Sequence, residues 1–231
     1  MDENQPDYIG HRKRLKQRFL LGEGRDMADY ELTELVLTLA IPRRDVKPLA
    51  KKLVAEFGSF ANVISAPEYR LKAIHGVSEG VITVFKIIKV AAQRTSWQNL
   101  ASDDMPVLIN IDNLIEFCRS AAAYSDVEEL HIIYLNAKLN AIGCELVQKG
   151  SLSSVAVAPR EIVKKSLLHN AAGIIMVHNH PSGSPKPSEN DLRLTGEIAE
   201  ACQTVGIRLH EHIIITRSSY FSFLEHGLLP R

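Results

Sequence analysis

Apolar positions in the first part of the chain recur at helical intervals. Tyr30–Ala40 (YELTELVLTLA) is strongly apolar, holds no internal Gly or Pro and is followed by Pro42, which predicts a helix ending there. Within Pro48–Phe57, Leu49, Leu53 and Phe57 fall at four-residue steps and share one face. Val81, Val84, Phe85, Ile88 and Ala92 repeat the habit. Residues 8–95 therefore read as a small all-helical region within a first domain, 1–95. The polar stretch Ser96–Pro106 (SWQNLASDDMP) reads as a linker. Over 107–231 the pattern changes. His131–Leu135 and Ala141–Val147 read as neighbouring strands across a turn at Asn136–Asn140, and Val155–Ala158 as a short strand. Pro159 marks a helix start, with Arg160–Leu168 as a crossover helix. Gly173–Val177 (GIIMV) reads as a buried central strand. Ser188 opens a long helix that ends near Gly206, and Leu209–Thr216 returns as a strand. The expected fold class is α+β or α/β, a mixed sheet flanked by helices behind a helical front domain.

Composition adds little except where it divides. The 231 residues are 45% hydrophobic and 23% charged, an ordinary globular mixture with room for one or two domains. Lys+Arg and Asp+Glu are both 27, so no global charge dictates a partner. Residues 1–98 carry 16 basic and 12 acidic side chains, net +4, and residues 99–231 carry 11 and 15, net −4. Such asymmetry suggests two modules with different partners. Three scattered cysteines (Cys118, Cys144, Cys202) make neither a disulfide framework nor a paired-cysteine zinc site. The polar N-terminal MDENQPDYIG and the lack of a spanning apolar run predict a cytoplasmic protein with no membrane contact.

The chemistry concentrates in Val177–Asp191 (VHNHPSGSPKPSEND). His178 and His180, two apart at a strand end, share one side of the strand. A Gly/Pro-rich loop (Pro181, Gly183, Pro185, Pro187) leads to Ser188, and Asp191 three residues later completes a capping signal that turns its carboxylate towards the strand end. Two neutral imidazoles and a carboxylate suit Zn²⁺, leaving a position at which a water would ionise near pH 7. Glu145, inside the apolar strand AIGCELV, is the candidate general base provided that strand borders the metal strand. A second H-x-H, His210–Glu211–His212, has no carboxylate following at a comparable position and reads as packing near the first site.

The arrangement Glu…H-x-H-x₇-S-x-x-D resembles the JAMM (MPN-type) metalloprotease signature. The longer string HNHPSG…PSxxD, the upstream PREIV and the helical N-terminal region resemble the bacterial RadC family over nearly the whole chain. That resemblance implies a JAMM-like sheet domain, zinc on His178, His180 and Asp191, Glu145 as general acid/base, and the Ser188 side chain assisting the oxyanion of a tetrahedral intermediate. The implied reaction is hydrolysis of a peptide or isopeptide bond in a protein or peptide substrate. Asn179 departs from the usual Ser or Thr between the two ligands, on the opposite strand face.

In the front domain, Leu71–Ser78 (LKAIHGVS) resembles the helix-hairpin-helix element of DNA-repair proteins, with Ser78 where a second Gly is usual. Arg43, Arg44, Lys47, Lys51, Lys52 and the Arg12–Arg18 cluster would suit a phosphate backbone or a solvated face. The rival expectation is thus a DNA-associated repair or recombination factor with a secondary metal domain. Oligomeric state and substrate identity are not encoded in these patterns.

Overall fold

The computed structural model describes residues 7–101, 105–150 and 158–230. Contacts divide the chain into two compact units, 1–91 and 92–231. Most of the strand expected at Val155–Ala158 lies outside the described residues.

The first unit is helical: α1 (Asp7–Gly22), α2 (Asp29–Ala40), α3 (Lys47–Phe57), α4 (Phe60–Ser65), α5 (Glu68–Lys72) and the first part of α6 (Glu79–Ala101). Its core gathers Leu37, Leu53, Val63, Leu71, Val81 and Phe85; helical spacing singles out Leu53, Val81 and Phe85 among them, while Leu49 and Phe57 are only partly buried. Between α5 and α6 the chain turns through Gly76 at φ +98°, a left-handed conformation that a Cβ would oppose. The Ser78 hydroxyl then accepts the Val81 N–H at 3.4 Å.

The second unit corrects the linker. Helix α6 continues through Ala101, because the polar stretch hides a buried face. Ser96 is buried and bonds the Ser120 hydroxyl at 2.7 Å, Trp97 packs on Phe117 at 5.2 Å between ring centroids, and Leu100 is buried. Helix α7 (Ile111–Ala122), which the strand reading overlooked, is capped by Asn110 and buries Leu114, Phe117 and Cys118. Then follow β1 (Glu129–Leu135), β2 (Ala141–Lys149), α8 (Pro159–Leu168), β3 (Gly173–Asn179), α9 (Glu189–Gln203), β4 (Arg208–Ile215) and a short β5 (Tyr220–Ser222).

The strands form one mixed sheet in the order β2-β1-β3-β4-β5. β3 and β4 are parallel and joined by α9, and the other pairs are antiparallel. Alternation sends Ile133, Leu135, Ile175 and Val177 to the α7 face, and Ile132, Tyr134, Ile174 and Met176 to the α8–α9 face. With both faces covered, β3 is buried at all seven positions, as its unbroken apolar run predicts. No described helix is long and apolar enough to cross a membrane.

Candidate metal centre

The site sits where β3 leaves the sheet. His178 shares the α8–α9 face with Met176, and His180 stays tied to β4 through its N–H, which donates to the Ile215 carbonyl at 3.1 Å. A turn closed by the Gly183 N–H on the His180 carbonyl (3.0 Å), with Gly183 at φ +86°, reverses the chain. Ser188 then caps α9. Its hydroxyl accepts the Asp191 N–H at 3.2 Å, while the Ser188 N–H and hydroxyl donate to Asp191 Oδ2 at 2.7 and 2.6 Å. The capping box thereby fixes the carboxylate, so Ser188 orients the Asp191 side chain in this structure. Service to an oxyanion would require its hydroxyl to leave Asp191.

His178 Nδ1 lies 3.4 Å from Asp191 Oδ1, and His180 Nε2 lies 3.4 Å from Asp191 Oδ2. One donor atom from each residue falls within 4.8 Å of the others, a convergence unique to this trio among the described residues. A charge-assisted N–H···O bond would be nearer ~2.8 Å. Two ligands about 2.1 Å from a tetrahedral zinc stand roughly 3.4 Å apart. His178 Nδ1 is also a buried nitrogen with no hydrogen-bond partner. These spacings and the orphaned nitrogen fit a shared cation better than they fit an ion-pair cluster.

Protonation states agree. Burial pushes the His178 pKa down to about 4, against the pull of Asp191, so its imidazole is neutral at pH 7. Burial also works to raise the Asp191 pKa, but His180, His178 and Ser188 together hold it well below the ordinary carboxylate range. His180 is raised, chiefly by Asp191. Its Nδ1 faces the Ser184 carbonyl at 2.8 Å and so carries the proton in the neutral ring, turning the Nε2 lone pair towards Asp191.

Glu145 is not brought to this trio. β2 pairs with β1 and not with β3, so the adjacency on which its role as base depends does not hold. It faces Ile132 and, across that, Met176, one pleat short of His178. Two strand spacings alone separate the strands by about 10 Å. Its carboxylate instead accepts from Lys165 Nζ at 2.6 Å and bonds His169 Nε2 at 2.8 Å, and Lys165 then His169 lower its pKa.

The strand that does border β3 offers another carboxylate. The β1–β3 ladder ends at the Leu130–His178 pair, and Glu128 lies two residues beyond it. Glu128 is half-buried there, and its charge contributes to raising His180. Sequence reading passed over Glu128 because it stands beside Glu129 at a strand start, where a carboxylate looks like solvated surface. The available signal was a Glu one strand-length upstream of the turn at Asn136.

Glu129 points to the other face, where it meets Lys149 at 2.8 Å, Ser125 at 3.0 Å and His131 at 3.2 Å. Burial opposes its ionisation, yet His131, Lys149 and Ser125 bring its pKa down to about 2 from 4.5. Because the folded value is depressed, the stabilisation is complete above pH 4.5 and fades as pH falls towards 2. Glu129→Gln is therefore expected to cost at most about 3 kcal/mol at neutral pH. In thermal melts from pH 7 to 2, its deficit against the parent protein will close below pH 4.5.

The second H-x-H packs beside the site. His212 is fully buried, stacked 5.8 Å from His178, with Nδ1 2.7 Å from the Thr195 hydroxyl, which also bonds the Asp191 carbonyl at 2.5 Å. His210 covers Gly173, where a Cβ would collide with its ring. Glu211 accepts from Ser222, the His212 N–H and the Leu224 N–H, anchoring the end of the fold. In the helical unit, Arg12 bonds the carbonyls of Ile41, Pro42 and Arg44, and Arg18 pairs with Glu31. Lys51 lies over the Tyr30 ring, and Arg43, Arg44 and Lys52 are exposed.

A mixed sheet that carries an H-x-H strand end and an Asp in the first turn of the following helix defines a JAMM-related fold. Residues 108–228 match the family described as RadC-like JAB domain. UPF0758 proteins of Ruegeria pomeroyi and Rhodobacter capsulatus are 42% and 41% identical to the chain, covering 97% and 93% of it and all of each relative. A UPF0758 protein of Fusobacterium nucleatum is 38% identical over 98% of the chain and all of its own length. The chain belongs to the RadC family. The family match begins at residue 108 and leaves the helix-hairpin-helix resemblance outside it.

Proposed function

We propose that the protein is a zinc-dependent hydrolase that cleaves a peptide or isopeptide amide, with His178, His180 and Asp191 as metal ligands and Glu128 as general acid/base. The observation that carries this reading is the convergence of two neutral-capable imidazoles and a pre-oriented carboxylate at ligand spacing, with the charge of Glu128 acting on His180. Zinc bound there supplies Lewis acidity and lowers the pKa of a water to about 7. Glu128 takes the proton released as that water attacks the carbonyl carbon and returns it to the leaving amine. Ser188 holds Asp191 in place through both of its donors. Buried His212 and Thr195 support the ligands from behind.

The test is incubation of zinc-loaded protein with a pool of linear and isopeptide-linked peptides in heavy-oxygen water. Cleavage is expected, with one heavy oxygen in each new carboxyl group. Zinc bound at one per chain with no cleavage across the pool, beyond that of metal-free protein, would overturn the reading.

A further inference from the structure

Asn179 stands between the two histidine ligands, is 1% exposed, and points to the face opposite them. Its amide is spent entirely on one segment. Oδ1 accepts the Glu129 N–H at 2.7 Å, and Nδ2 donates to the Val127 carbonyl at 3.0 Å and more distantly to the Ser125 carbonyl at 3.4 Å. These bonds begin where the β1–β3 ladder stops, at the Leu130–His178 pair. The side chain thus replaces the rungs that backbone pairing no longer provides.

Glu128 lies inside the clamped segment. Its carbonyl accepts the Gly150 N–H at 2.8 Å, and its neighbour Glu129 is held on the far face by Lys149, Ser125 and His131. With both flanks tied down, the backbone at Glu128 is held beside the end of β3 that carries His178 and His180. An amide is suited to the task because it accepts and donates at once. Aspartate would accept but repel the two carbonyls, and serine is too short to span three backbone groups.

We infer that Asn179 is a positioning residue that locks Glu128 in register against the His178–His180–Asp191 set. The inference rests on the reading of Glu128 given above. It is tested in the full-length protein loaded with Co²⁺, whose visible absorption responds to a carboxylate beside the ion, together with amide hydrogen exchange.

Glu128→Gln is expected to shift the cobalt bands. Asn179→Ala is expected to shift them likewise at an unchanged one Co²⁺ per chain, and the double variant to move no further than the larger single change. Exchange protection of the Glu129 amide is expected to fall about tenfold or more, while α9 amides keep theirs. Should Asn179→Ala not fold, Asn179→Ser takes its place. Asn179 variants that leave the bands as in the parent, or shifts that simply add to that of Glu128→Gln, would overturn the positioning role. Bands unmoved by Glu128→Gln would instead overturn the placement of Glu128, and the inference with it.

Discussion

Protein loaded with zinc and then dialysed will retain one zinc per chain by elemental analysis, and His178→Ala and Asp191→Asn will each retain only background. Asparagine is the informative replacement for Asp191. Its side-chain oxygen still accepts from Ser188, so the helix start keeps its cap while the anionic ligand is lost. Replacement by alanine would also remove the reciprocal half of the capping box, the acceptor of the Ser188 N–H and hydroxyl, and would confuse folding with binding. Loss of a supporting contact to a metal ligand lowers affinity about 10- to 100-fold, so loss of a ligand will cost at least the upper end of that range. The structural reason is that no other described set of three such side chains brings its donor atoms within 4.8 Å of one another. The carboxylates of Glu211 and Glu129 are taken by other partners. Zinc retained in full by both variants would place the metal elsewhere and remove the basis of the hydrolase reading.

The ligand trio was legible in the sequence because every step that builds it is local. Strand alternation sets His178 beside His180, a Gly/Pro loop turns the chain, and a capping box orients Asp191, all within 14 residues. The proposed base, Glu128, was not legible, because its placement depends on strand order. From one chain, Glu145 in an apolar strand looked buried and therefore functional. The sheet places β2 at an edge, where that carboxylate finds Lys165 and His169. Glu128 is brought near the end of β3 through the pairing of β1 with β3, a long-range contact that no local pattern encodes. The helical continuation through Ala101 was hidden for a related reason. Ser96 and Trp97 look like linker residues until Ser120 and Phe117 are packed against them.

Glu128→Gln is expected to lower turnover by roughly 10²- to 10⁴-fold, the usual contribution of a general acid/base, with the zinc content unchanged. Glu145→Gln is expected to lower it less than about tenfold. The comparison is sharp because both substitutions conserve shape, so they differ mainly in where the charge stands relative to His178 and His180. Glu145 is about a third exposed and its partners Lys165 and His169 are similarly exposed, so removing its charge costs stability of no more than about 1 kcal/mol after solvent screening. Any large loss of turnover in that variant therefore cannot be ascribed to unfolding. A result in the reverse sense, with Glu145→Gln inactive and Glu128→Gln active, would mean that the edge strand swings during turnover and that Lys165 and His169 release their carboxylate to the metal site. That motion would break two ion-pair contacts and shift β2 against β1. Hydrogen exchange along β2 would then rise when a substrate peptide is added, whereas a base at Glu128 requires no such change.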